Sequence, residues 1–487
     1  MQNPLIDVQP KLVWKYFFEI SKIPRPSKYE TQISKYVCEI AKKFNLQVKA
    51  DKFGNLVVKK SASKGKEKLP MICLQGHLDM VCEKNADKNF DFFKDPIELV
   101  VKKNILMANG TTLGGDNGIA VATMLAIMED DSVVHGPMEF LFTVDEETGL
   151  TGANNLQKNF IQSKILLNLD SEEEGAIYIG CSGGRDTVGT WKLNTEGIPT
   201  TFFKYKLSVL NLKGGHSGLE IDKNRGNAIK ILNRILLKFS EIEVRVSSIN
   251  GGNKRNAIPR ECEAIIFVPT KSVSSIQNIL NDFGKELNAE TLSSDNEIKF
   301  SLDLIPKDFK EKGKVLKQNL QTKLLRTISS LPHGVIKTSS DIKNLVETST
   351  NVASITTSEK TISIATSQRS SIASEINEIS ETVANIFYLG DCETVTSGDG
   401  YPGWKPNPNS KILQIAKTSY NSLFKKDIQV KAIHAGLECG IIGEKYPGID
   451  MISFGPTLEG VHSPDEKIYI DTVEKFWKLL LSILKSV

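Results

Sequence analysis

Apolar positions along the chain recur with two different periods, and the alternation between them outlines the fold. Residues 11–21 read as a helix that stops at Pro24 and Pro26. Ser27 and Glu30 have the spacing of a capping box, and behind them Ile33, Val37, Ile40, Ala41 and Phe44 repeat at helical spacing. Residues 56–58 and 71–74 are short β-rich runs separated by a polar Ser/Lys/Gly loop. A helix is predicted to start near Asn117 and to carry residues 119–128, followed by strand-like runs at 138–144 and 165–169. Strands alternating with helices predict an α/β domain built on a central, largely parallel or mixed sheet.

The texture changes past about residue 185. Residues 190–201 are polar, contain Gly197 and Pro199, and read as a linker. The following stretch is rich in Lys, Ser, Thr and Asn, with helical runs at 228–239 and 274–287 and β-rich pieces at 203–210 and 264–268. This predicts a second domain of α+β type, without a clean internal repeat. From about Gly390 the α/β character returns and ends in a helix through residues 476–484. The predicted organisation is a catalytic domain in two parts, 1–188 and 393–487, interrupted by an inserted domain over 189–392.

Composition narrows the function classes. With 487 residues the chain exceeds one ordinary core. Its 61 basic and 58 acidic residues nearly cancel, which leaves no electrostatic footprint for nucleic acid or an anionic membrane. Seven scattered cysteines form no C-x-x-C pair, so a disulfide framework or thiolate metal finger is not expected and a reducing cytoplasm is. Residues 1–10 carry acidic and polar residues where a secretory leader would need an apolar run, and no run of about 20 apolar residues occurs. Neither a leader nor a membrane span is therefore expected, and a soluble protein is.

Chemistry-bearing side chains gather where the buried strands should end. His77 and Asp79 follow the run at 71–74, Glu146 and Glu147 the run at 138–144, and Asp170 the run at 165–169. Ligands of open α/β sheets collect outside the carboxyl ends of the strands, so these residues are expected to converge on one crevice. Asp116 lies in the turn Leu113-Gly114-Gly115-Asp116-Asn117-Gly118, whose glycines permit close approach of backbone to a ligand. Imidazole nitrogen and carboxylate oxygen are zinc ligands. One bridging carboxylate can hold two metal ions about 3.5–4 Å apart. A further carboxylate is then needed to take a proton from the attacking water. Adjacent glutamates can divide this labour, and Asp79 is spaced to orient the His77 imidazole. Glu172, Glu173 and Glu174 read as surface charge. Only six histidines occur, so imidazole chemistry has few sources, His216 and His462 among them.

Taken together, these segments resemble the bacterial aminoacyl-histidine dipeptidases, within the aminoacylase/carboxypeptidase G2-like metallopeptidase clan. The resemblance rests on Gln75-Gly76-His77-Leu78-Asp79-Met80-Val81, the glycine turn around Asp116, Asp145-Glu146-Glu147-Thr148-Gly149 and Leu169-Asp170-Ser171. It continues in Lys213-Gly214-Gly215-His216-Ser217-Gly218, Arg255-Asn256-Ala257-Ile258-Pro259-Arg260, His434-Ala435-Gly436-Leu437-Glu438-Cys439-Gly440 and His462-Ser463-Pro464-Asp465-Glu466. It runs from the first helix to the last and is weaker over residues 274–344.

The resemblance implies two divalent metal ions, with zinc expected and cobalt or manganese acceptable to the same ligands. His77 and Asp170 would bind one ion, Glu147 and His462 the other, and Asp116 would bridge them. Glu146 would be the general base, with Asp79 acting through His77. From the inserted domain, a lid or dimerisation domain in this reading, His216 would stabilise the oxyanion in its own or a neighbouring subunit. Asn256, Arg369 and the backbone near Gly436 would hold the substrate carboxylate. The implied activity is hydrolysis of unblocked dipeptides, X-His included, by a cytoplasmic homodimer. An N-acyl amino acid amidohydrolase or short-peptide exopeptidase on the same scaffold is the alternative.

Overall fold

The computed structural model describes residues 3–291, 295, 298–306 and 313–487, so parts of the weakly matching stretch 274–344 lie outside the described residues. The chain divides into two compact units. The first comprises Met1–Cys181, Trp404–Ala432 and Leu437–Val487, and the second Ser182–Gly403 and Ile433–Gly436.

In the first unit an eight-stranded mixed sheet runs in the order Gln47–Ala50, Leu56–Lys60, Met138–Thr143, Ile72–His77, Ile165–Asn168, Asp450–Ser453, Ala176–Cys181, Gln429–Ile433. Its centre is parallel: Ile72–His77 pairs in parallel with Met138–Thr143 on one side and with Ile165–Asn168 on the other. Both faces of the two strands Ile72–His77 and Met138–Thr143 are buried, which explains their near-continuous apolar runs. The helix Gly115–Glu129 is apolar all round and buried from Asn117 to Met128, as a helix packed between layers must be. The helix Lys11–Ile20 packs beside it, with Phe17 and Ile20 against Gly118.

The second unit holds an antiparallel sheet in the order Lys299–Leu304, Phe202–Leu210, Cys262–Pro269, Arg245–Gly251, Val346–Thr357, Thr361–Ser370, Gly183–Lys192, Thr394–Ser397, with Gly334–Thr338 also paired to Val346–Thr357. Leu232, Ile235, Phe239 and Phe387 from its helices meet Leu207, Ile266, Val352 and Ile364 from its strands in one core.

Three sequence expectations need correction. Residues 190–201 are not a linker: Gly183–Lys192 is a strand of the second sheet, and Thr195–Gly197 pairs with Lys314–Leu316. The expected boundaries at 188/189 and 392/393 therefore give way to 181/182 and 403/404, because Thr394–Ser397 also pairs with Gly183–Lys192. The capping box does not form. Ser27 Oγ donates to Asp79 Oδ2 (2.7 Å), and Glu30 accepts from the amides of Lys28 and Asp145 (2.8 and 2.9 Å), so neither side chain reaches back to the other's backbone. All seven cysteines are free, and among the described residues no helix is long and apolar enough to cross a membrane.

Candidate metal centre

Parallel pairing brings three strand ends side by side in the first unit. His77 closes one strand, Glu146 and Glu147 follow the next across the left-handed Asp145 (φ 51°), and Asp170 follows the third. Asp116 enters from the opening of the helix Gly115–Glu129, where Asp116 and Asn117 are not yet helical. Asn117 ties this loop to the strands, accepting from His77 N (3.2 Å) and donating to Leu169 O (3.0 Å). His462, at φ 61°, comes from the C-terminal segment.

The donor atoms form three overlapping groups, each within 4.8 Å: His77, Asp116 and Asp170; Asp116, Glu147 and His462; His77, Glu146 and Glu147. His77 Nε2 lies 3.0 Å from Asp116 Oδ1 and 3.5 Å from Asp170 Oδ1. His462 Nε2 lies 3.3 Å from Asp116 Oδ2 and 3.0 Å from Glu147 Oε2. The two oxygens of Asp116 thus face the two different imidazoles. Asp79 Oδ1 sits 3.3 Å from His77 Nδ1, and the Asp79 carboxylate also accepts from the amides of Glu146 and Glu147 (3.0 and 3.2 Å). One buried carboxylate therefore orients a histidine and fixes the backbone of both glutamates.

Electrostatics separate the carboxylates into two kinds. Burial opposes charge on Asp116, but hydrogen bonds from His462 and His77 hold its carboxyl well below the usual range. Asp79 is likewise held down at about 2: burial is the largest single influence and works against it, but His77, the Ser27 hydroxyl and the Glu146 amide together outweigh it. Burial pushes Glu146 well above the ordinary carboxylate value, with His77 opposing and Asp170, Glu438 and Glu147 adding to the rise. Asp170 is pushed up to about 6, by burial first, with Asp116 and Glu147 adding. A tight cluster of imidazole and carboxylate donors, with Glu147 Oε1 buried and unpartnered, has the composition of a divalent-metal site.

The other four residues expected at the site belong to the second unit. Arg369 is buried and donates through Nη1 to Tyr401 OH (3.0 Å), while its Nε has no partner. Gly436 packs against the same tyrosine, whose ring lies 2.8 Å from where a Cβ would stand. His216 Nδ1 accepts from the amides of Gly218 and Leu219 (3.1 and 3.0 Å), which places the ring proton on Nε2. Burial, then the Arg369 charge, lowers His216 to about 4, so it is neutral at pH 7. Asn256 is exposed, its carbonyl accepting from Ser217 N (2.8 Å).

Sequence reasoning missed several neighbours. His434 is buried, hydrogen-bonds Ser349 Oγ through Nε2 (2.7 Å), and is lowered to about 3 by burial and by Arg369. Its place in the His434-Ala435-Gly436 motif was the available signal. Glu438 lies fully buried in the first unit and accepts from Gln75 Nε2 and Thr143 Oγ1 (both 2.6 Å). Glu173 and Glu174, read as surface charge, instead hold partners: Tyr178 and Lys431 for the former, Tyr420 and Lys475 for the latter.

Comparison with known proteins defines the class first. Residues 73–486 match the model of peptidase family M20/M25/M40, and the chain belongs to that family. Among relatives, it is 40% identical over 486 residues to the cytosol non-specific dipeptidase of Escherichia coli, covering all of this chain and 99% of that protein. Among solved structures, the aminoacylhistidine dipeptidase of Vibrio alginolyticus superposes with a TM-score of 0.91 at 36% identity, covering 99% of this chain and 98% of the other. A Staphylococcus aureus tripeptidase, 17% identical with TM-score 0.56 over 98% of both chains, shares the fold.

Proposed function

We propose that this protein is a metal-dependent dipeptidase that cleaves unblocked dipeptides of varied sequence, X-His included. The observation that carries the reading is the pair of donor groups, His77–Asp116–Asp170 and Asp116–Glu147–His462, joined through the two oxygens of one carboxylate. These residues would hold two divalent ions, with zinc the expected pair. When bound, such ions polarise the scissile carbonyl and acidify water.

The chain's own groups do the rest. Glu146 sits among the ligands with its carboxyl pushed well above the ordinary value by burial, suited to take a proton from water and return it to the departing amine. Asp79 keeps the His77 ring and the Glu146 amide in place. His216, neutral with its proton on Nε2, is a hydrogen-bond donor for an oxyanion, a role worth several kcal/mol (about 3–4) in a preorganised site. Arg369, Asn256 and the backbone at Gly436 would take the C-terminal carboxylate of the dipeptide. The second unit is thus assigned a lid or dimerisation role, with a homodimer and a cytosolic setting like that named for the Escherichia coli relative.

The test is release of free amino acids from Ala-His, Gly-Gly-Gly and N-acetylalanine by metal-loaded protein, with Glu146→Ala as control. Cleavage of Ala-His alone, lost in the control, supports the dipeptidase. Preference for N-acetylalanine assigns the chain to the amidohydrolases instead, and preference for Gly-Gly-Gly to short-peptide exopeptidases.

A further inference from the structure

The turn that carries Asp116 is gripped from both sides by buried charged side chains, neither of which belongs to the donor groups. Glu466 is 2% exposed, and its carboxylate accepts four consecutive amides: Leu113 and Gly114 on Oε2 (2.7 and 2.9 Å), Gly115 and Asp116 on Oε1 (2.7 and 3.1 Å). The last three of these are donors that the start of the helix Gly115–Glu129 leaves without intrahelical partners, and Leu113 lies just before its cap. On the other side Arg25, 3% exposed, donates to Gly114 O and to the carbonyls of Leu78 (3.1 Å) and Asp79 (2.9 Å). One guanidinium therefore joins the Asp116 turn to the strand end that carries His77 and Asp79.

The glycines of the turn make room for these two side chains. A Cβ at Gly114 would stand 2.5 Å from Arg25 Nη2, and one at Gly118 2.6 Å from the same atom. At Gly115 it would stand 2.8 Å from Ile468 and 3.1 Å from Glu466 Oε1. The close approach expected of this turn is thus an approach to Arg25 and Glu466.

We propose that Arg25 and Glu466 are positioning residues that set the Asp116 carboxylate between His77 and His462, and thereby set the metal affinity of the centre. The proposal rests on the two-metal reading above. Glu466→Gln preserves volume but turns one acceptor oxygen into a donor, so an NH2 group faces amides it cannot bond. The test uses the full chain, stripped of metal and titrated with Co2+. It reads affinity by chelator competition, the visible cobalt spectrum, and the folded signal of the metal-free protein.

Glu466→Gln is expected to bind Co2+ about 10–100-fold more weakly, with a changed cobalt band. Glu139→Gln is the control for plain structural loss. Glu139 is a fully buried carboxylate of the same unit that accepts from Gln162 N, Ser163 N and Ser163 Oγ, outside the donor groups. It is expected to lower stability while leaving cobalt affinity and spectrum as in the parent. Should Glu466→Gln fail to fold, Gly115→Ala, whose Cβ crowds Ile468 and the same carboxylate, carries the test with the same expected weakening. A folded variant of either kind with parental affinity and spectrum overturns the proposal alone. Absence of Co2+ binding by the parent chain overturns the two-metal reading and the proposal with it.

Discussion

Adding one methyl group at Gly76 separates the role of the scaffold from that of the ligands. Gly76 precedes His77 on a central buried strand, and a Cβ there would stand 2.3 Å from Asn117 Oδ1 and 3.0 Å from Ala120 Cβ. The helix Gly115–Glu129 is buried around its circumference, so it has no free side toward which to yield. The Asn117 amide must then move, and with it go the bonds to His77 N and Leu169 O, the latter one residue before Asp170. Overpacking of this kind costs about 1–3 kcal/mol. Each buried group left unsatisfied adds about 1–3 kcal/mol. Gly76→Ala should therefore destabilise the metal-free protein by at least about 3 kcal/mol, the low ends of the overpacking term and of two lost bonds combined. Urea unfolding measures this against Gly197→Ala, a position where an added Cβ meets nothing within 4 Å. The Gly197 variant should match the parent. A Gly76 variant with the parental midpoint and slope would refute the packing argument.

Glu146→Gln should lower kcat for Ala-His by at least about 100-fold while leaving metal stoichiometry unchanged, as removal of a general base should; metal analysis beside kinetics checks both. His434 is lowered to about 3 by burial, then by Arg369 and His216, so the unfolded chain binds the extra proton below about pH 6.5. Its contribution is full above that pH and fades as pH falls toward 3, by about 1.4 kcal/mol per pH unit. Urea midpoints between pH 7 and 4 should accordingly fall less steeply in His434→Asn than in the parent. Asn227 caps the helix Ala228–Ser240, accepting from the amides of Ile229 and Lys230, and also donates to Val352 O (2.8 Å). Asn227→Ala should cost about 1–2 kcal/mol, read from the same unfolding curves.

Much of the centre was legible in the sequence because strand periodicity is a local property. Apolar runs of strand length placed His77, Glu146, Glu147 and Asp170 at strand ends, and parallel pairing then makes those ends neighbours. Partners far apart along the chain were not legible. Arg25 and Glu466 clasp one turn from opposite ends of the sequence, and no spacing rule connects them. Ser27 and Glu30 matched a local capping pattern, yet their oxygens are claimed by Asp79 and the Asp145 amide, since burial rewards long-range bonds as readily as local ones. The strand Gly183–Lys192 was hidden for a related reason. Its polar residues find partners across the sheet, Thr187 with Gln368 and Thr190 with Ser363, so no apolar alternation marks its far half.

The most direct test of the two-metal dipeptidase is a titration of metal-stripped protein with Zn2+ while following Ala-His hydrolysis. Activity should be absent without metal and reach its plateau at two equivalents per chain, the number of donor groups that Asp116 joins. Hydrolysis that persists in the metal-free protein, or a plateau at one equivalent, would contradict the account.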